Sequence, residues 1–141
     1  MSALFDAFSL GPLRLKTRLV MAPMSRGFCP QGAPTAAVAE YYARRARNQV
    51  GLIISEGTYI DHPAAASYPN CPDFFGERAL AGWRQVIAAV HAAGGVMFPQ
   101  LWHVGSHRRL GQPPDPEVPG VAPCAYVNAL SGGSEPARAM T

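Results

Sequence analysis

Apolar and polar positions along this chain fall into a short series of distinct periods. Residues 4–20, LFDAFSLGPLRLKTRLV, hold two brief alternating runs broken by Gly11-Pro12, which predicts a small hairpin ahead of the main fold. The segment RLVMAPM, residues 18–24, predicts a first strand, and Pro23, with no N–H to give a ladder, should end its pairing. After the turn-rich SRGFCPQGAP, Thr35 stands where an N-cap would, before the helix-forming AAVAEYYARRARNQ. VGLIISEG, residues 50–57, carries a short apolar core between glycines and predicts a strand buried on both faces. In ERALAGWRQVIAAVHAAGG, Leu80, Trp83, Ile87 and Val90 recur at helical spacing, and Gly94 and Gly95 supply the stop. VMFPQL, residues 96–101, predicts a third strand, although Pro99 conflicts with a central place in a sheet.

Strand, helix, strand, helix, strand makes two consecutive βαβ units and calls for a parallel sheet with right-handed crossovers. Doubly wound sheets and barrels both begin this way. Neither GxGxxG nor a GxxxxGKS/T loop follows any strand, so nucleotide-binding forms of the open sheet lose support. In either architecture ligands gather at the C-terminal strand ends, which here read APMS, SEGT and QLWH. Residues 105–141 are rich in proline and glycine with no hydrophobic period, and are expected to form a long loop. A (β/α)₈ barrel takes about 250 residues. Three strands therefore suggest a partial α/β barrel, truncated at Thr141, which stands like an N-cap with no helix behind it. The expected layout is a hairpin plug over 1–17, three strands and two helices over 18–104, and the loop over 105–141.

Composition narrows the picture further. With 141 residues, 48% of them hydrophobic, the chain can bury a core as one domain. No run approaches the ~18 apolar residues of a membrane span, and MSALFDAFSLG lacks the charged start of a signal peptide, so a cytoplasmic protein away from membranes is expected. Cys29, Cys71 and Cys124 are far apart and form no CxxC pair, which favours reduced thiols over disulfides or zinc. His103 and His107 are separated by Gly105 and cannot share a helix face as a metal pair would, so no metal is expected. The net charge of +3 comes from Arg44, Arg45 and Arg47 near a helix end and Arg108 and Arg109 in a loop. With no aromatic residues among them, they read as dipole-favoured and solvated cations rather than a nucleic-acid surface. His91 reads the same way, and Glu56 as a structural carboxylate.

The strand ends and their neighbours carry a resemblance. LGPLRLKTRLVMAPMSRGF, PTAAVAEYYARRA, GLIISEGT, ALAGWRQVIAAVHAAGG and FPQLWHVG, in this order over nearly the whole chain, resemble the old yellow enzyme family of FMN-dependent ene-reductases and NADH:flavin oxidoreductases. The resemblance implies a (β/α)₈ barrel with FMN at its C-terminal face and a hairpin closing the other end. It also implies that backbone of Ala22, Pro23 and Met24 passes along the flavin, with the Ser25 hydroxyl near its C4 carbonyl. Gly57 would lie beside the ring, the Gln100 amide would meet the pyrimidine edge, and Trp102 would line the substrate pocket. If period 2 holds, Gln100 and Trp102 share a face while His103 points away in a supporting role.

The implied reaction is NAD(P)H-dependent reduction of an activated alkene. Serine stands at position 25 where the family often has threonine or cysteine, and Ser106 where it often has arginine. The family's substrate-carbonyl ligands, proton-donating tyrosine and phosphate loops fall beyond Thr141, so no catalytic residue is expected in this chain and the fragment alone should be inactive. Partners implied are a small alkene and the remainder of the barrel or a complementary chain, with a homo-oligomer compatible. Two other readings stand beside this one: a non-catalytic remnant or assembly module needing a complementary chain, and a different TIM-barrel enzyme for a phosphorylated ligand.

Overall fold

The computed structural model describes residues 3–131 and 136–140; Thr141, the expected N-cap, and the first two residues of the hairpin segment lie outside that range. Contacts group the chain into two compact units, Met1–Thr58 with Asn70–Gln100, and Tyr59–Pro69 with Leu101–Thr141.

The first unit opens with the expected hairpin. Strands β1 (Phe8–Leu10) and β2 (Leu13–Leu15) pair antiparallel around Gly11, whose φ of 55° suits a residue without Cβ. Leu15 is buried, and the buried Thr17 hydroxyl donates to the Gln49 carbonyl at 2.5 Å, fastening the segment after the hairpin. Strand β3 is only Val20–Met21, shorter than the 18–24 expected. It pairs parallel with β4 (Leu52–Tyr59), Val20 opposite Leu52 and Met21 opposite Ile53, and leaves the ladder just ahead of Pro23.

Helices α1 (Ala36–Arg47) and α2 (Glu77–Ala92) pack against the sheet and each other. Thr35 has the extended backbone of an N-cap and its carbonyl accepts from Ala39 at 3.0 Å, but its hydroxyl makes no capping bond, contrary to the sequence expectation. The inward face of α2 is Ala79, Gly82, Trp83, Val86 and Val90, with Leu80 and Ile87 only half-buried, so the expected stripe is rotated. The cause is close packing: a Cβ on Gly82 would stand 2.5 Å from the Pro34 carbonyl oxygen, so the small residues must face inward. Gly94, at φ 73°, stops α2 as expected, with its N–H on the His91 carbonyl at 2.9 Å and Gly95 on Val90 at 3.0 Å. Met21, Cys29, Val38, Tyr42, Ala46, Ile53, Trp83, Val86 and Val90 form the core between sheet and helices.

Strand β5 (Val96–Trp102) completes a sheet of order β3-β4-β5. Val96 N–H reaches the Gly51 carbonyl at 3.4 Å and Gln100 N–H the Ser55 hydroxyl at 3.0 Å, so even-numbered residues of β5 turn their N–H groups to β4. Pro99 therefore sets its ring nitrogen on the open edge, where no ladder bond is lost, which resolves the conflict seen in sequence. β4 is not buried on both faces throughout: Leu52 and Ile54 are half-buried while Ile53 and Ser55 are buried, because the helices cover only one face.

In the second unit, the tail expected to be one long loop contains short elements. β6 (Val121–Ala122) and β7 (Arg138–Ala139) pair parallel, with single 3-10 turns at Gly105–His107 and Ala129–Ser131. Arg108, expected to be solvated, is 5% exposed. Its guanidinium donates to the carbonyls of Val118 (2.9 Å), Gln112 (2.9 Å), Asp115 (2.6 Å), Pro113 (3.2 Å) and Ala66. A loop with no apolar period thus folds around one buried cation, which replaces a hydrophobic core as its organising centre.

Candidate functional site

Three C-terminal strand ends of the first unit carry the residues singled out by sequence. Ala22, Met24 and Ser25 are exposed just past β3, Pro23 is half-buried, Gly57 is buried near the end of β4, and Gln100 is exposed on β5. Among the described residues nothing hydrogen-bonds the Ser25 hydroxyl or the Gln100 side-chain amide, and Met24 is 49% exposed.

The three segments are tied together from behind. Glu56, next to Gly57, is fully buried, and its carboxylate faces Arg26, next to Ser25. Arg26 Nη2 donates to Glu56 Oε1 at 2.8 Å, and the Arg26 backbone N–H donates to Oε2 at 3.2 Å. The Tyr42 hydroxyl donates to Oε1 at 3.3 Å and accepts from the Glu56 N–H at 2.9 Å. Arg26 also lies over the Tyr41 ring, 3.6 Å from its centroid. Ser55 links the third segment: its hydroxyl accepts from Gln100 N–H and donates to the Glu56 carbonyl at 2.7 Å. The sequence reading of Glu56 as a structural carboxylate agrees with this geometry. Arg26 went unnoticed there, although its place directly after APMS was a usable signal.

Burial governs the titration of neighbouring groups. The Cys29 thiol is pushed up to about 12, chiefly because burial disfavours its anion, with the Glu56 charge adding to the effect. Burial likewise raises the Tyr42 phenol above its ordinary value. Cys29, Cys71 and Cys124 are in no disulfide, and among the described residues no cluster suited to a metal occurs. His91 is exposed at the end of α2.

Trp102 belongs to the second unit and is half-buried. Its ring stacks with Tyr59 (centroids 5.6 Å, 19° between planes) and with Tyr68 (5.7 Å, 8°). His103 Nδ1 accepts from the Gly105 N–H at 3.0 Å, which leaves its proton on Nε2, facing His62 Nδ1 at 3.1 Å. Burial, helped by His62 and Arg108, lowers the His103 pKa below its ordinary value. These two imidazoles, with Ile60, Val121, Arg138 and Met140, line an open cavity of about 530 Å³.

A sequence profile described as the NADH:flavin oxidoreductase / NADH oxidase family matches residues 3–141. The chain belongs to that family. Among curated members it is 45% identical over 102 residues to 12-oxophytodienoate reductase 7 of Oryza sativa subsp. japonica, an overlap of 72% of this chain and 25% of that protein. It is 38% identical over 120 residues to putative 12-oxophytodienoate reductase 2 of the same plant, an overlap of 82% of this chain and 30% of that protein. The chain thus spans 25–30% of the length of these curated relatives. Among solved structures, morphinone reductase in complex with tetrahydroNAD superposes with a TM-score of 0.84 at 36% identity, over 100% of this chain and 41% of that one. An old yellow enzyme homologue from Zymomonas mobilis gives 0.81 at 32% identity, over 99% and 40%. The resemblance read from the strand-end motifs is borne out: the matching family is one of NADH:flavin oxidoreductases, and the chain superposes on part of TIM-barrel members of the old yellow enzyme group. No helix among the described residues is long and apolar enough to cross a membrane.

Proposed function

We propose that this chain forms one wall of an FMN site in an NAD(P)H-dependent reductase of activated C=C bonds. The observation that carries the reading is the pair of polar side chains, Ser25 and Gln100, left without protein partners among the described residues at the ends of the two strands that flank β4 in a family member. The chemistry of these donors fits FMN. An amide supplies a donor and an acceptor side by side, as the pyrimidine edge of a flavin requires, and a hydroxyl can serve its carbonyl. FMN, when bound, supplies hydride transfer from NAD(P)H to the alkene. In this reading Gln100 orients the flavin, Ser25 donates to it, and backbone of Ala22, Pro23 and Met24 together with Gly57 bounds the ring. Trp102 lines the substrate pocket. In this reading the acid chemistry would be supplied by residues outside these 141, which would not turn over by themselves.

The test is flavin absorbance of the protein after incubation with FMN and gel filtration, beside Gln100→Ala. Stoichiometric flavin on a discrete peak, lost in the variant, supports the reading. Flavin retained equally by Gln100→Ala overturns the role of that amide.

A second reading, an assembly module completed by the remainder of the barrel or a complementary chain, is favoured by the open sheet. Val20 on β3 is 54% exposed, and Phe98 and Leu101 on β5 are 47% and 58% exposed. Sedimentation giving a stable monomer with no tendency to associate would count against it.

A further inference from the structure

The Arg26–Glu56 pair occupies an unusual place. Each partner sits directly beside a residue of the candidate flavin wall, Arg26 after Ser25 and Glu56 before Gly57. One carboxylate takes both the backbone N–H and the guanidinium of Arg26, so it fixes the main chain of the β3 exit as well as the side chain. The charges are withdrawn from water, with side-chain exposures of 13% for Arg26 and 0% for Glu56. Burial of that kind weakens a fold if the pair is imperfect, so hydrophobic residues would serve stability as well. The network is also imperfect: Arg26 Nε is buried without a partner among the described residues. Stability is therefore a weak account of why this pair is here.

From this geometry we infer that Arg26 and Glu56 are positioning residues for the cofactor. They clamp the β3 exit to the end of β4, setting the separation of Ser25 from Gly57 and thereby flavin affinity and reduction potential. Tyr42 braces the clamp from α1 by holding both the carboxylate and the backbone N–H of Glu56. Ser55 extends it to the third strand through the Gln100 N–H. The inference rests on the FMN reading above, which it deepens by naming the residues that hold the wall in place.

Two readouts separate the clamp from that reading. The first needs no flavin: amide hydrogen exchange at Arg26, whose N–H ends on Glu56, in wild type, Glu56→Gln and Arg26→Lys. Glu56→Gln, with its charge removed, should speed exchange at Arg26 by about tenfold while α2 amides remain as in wild type, and Arg26→Lys, which keeps charge and backbone N–H, should fall between the two. The second is FMN titration by fluorescence quenching, followed by the midpoint potential of the bound flavin. Glu56→Gln should weaken FMN about tenfold, or about 1.4 kcal/mol, and shift the potential, with Arg26→Lys recovering most of both. Unchanged exchange at Arg26 overturns the clamp whatever the flavin does. Faster exchange with wild-type flavin affinity and potential reduces the pair to a structural feature and also overturns the inference. Wild-type protein that takes up no FMN overturns the flavin reading and the cofactor part of the clamp together.

Discussion

Replacing Arg108 by Met keeps the apolar stem and removes the guanidinium on which five carbonyls of the second unit converge. Hydrogen bonds to a charged group contribute about 1.5–3 kcal/mol each. A literal sum overstates the loss, because carbonyls at a loop surface regain water and deletion effects within one network are not additive. Removing one partner from a buried charged network costs about 3–5 kcal/mol, and the lower end suits a loop close to solvent. About 3 kcal/mol corresponds to roughly a hundredfold rise in local opening. Gly111 and Val118 report it directly, since their N–H groups bond the Pro116 and Asp115 carbonyls at 2.9 and 3.2 Å within the loop. Native-state hydrogen exchange of Arg108→Met should therefore accelerate at Gly111 and Val118 about a hundredfold, with Ala39 in α1 as the unaffected control. Arg108→Lys, a single point donor in place of a planar fork, should recover only part of the protection. Loop amides that stay within about twofold of wild type would show that the loop is organised by something other than this cation.

Trp83 is 2% exposed and its indole N–H donates to the Asp73 carbonyl at 2.9 Å, so Trp83→Phe should cost about 1–3 kcal/mol and Trp83→Ala about 3–5, read by denaturant unfolding. Cys29 titrates near 12 in the folded chain against 9.0 ordinarily, so the unfolded chain releases its proton first and stability falls as pH rises through that window. Cys29→Ala should flatten this alkaline slope in unfolding midpoints collected against pH, and an unaltered slope would exclude the thiol as its source. His103 has the opposite sense: its lowered pKa favours the neutral ring, so its contribution is present above 6.5 and lost as pH falls below it. Its imidazole resonances should titrate below 6.5 by NMR, and His62→Gln, which removes a like-charging neighbour, should bring the midpoint back toward that value.

The first unit was largely legible because its signals are local. Apolar spacing located α1, α2 and the three strands, and Gly94 marked the end of α2 through the sign of φ it demands. What escaped was decided by tertiary packing. The inward face of α2 turned on the approach of Gly82 to Pro34, which no periodicity records. The length of β3 turned on where its ladder could continue. Loop residues 105–120 looked structureless because one buried guanidinium does the organising, and a lone arginine in a polar loop carries no pattern. In the candidate site, Ser25, Gly57 and Gln100 were found as motif members, whereas Arg26 emerged only when distances linked it to Glu56.

Pro99 has a bearing on how the outer edge of β5 meets other chains. An exposed strand with a complete row of N–H groups is a template on which any extended peptide can anneal, the first step of fibril growth. Pro99 removes one rung from that template, so an incoming strand forfeits a backbone hydrogen bond worth about 1 kcal/mol. The penalty falls equally on every stray peptide, whereas an occupant with side chains matched to Phe98 and Leu101 would regain it by burial. One imino acid thereby biases an adhesive edge toward a fitted occupant and away from indiscriminate fibre formation.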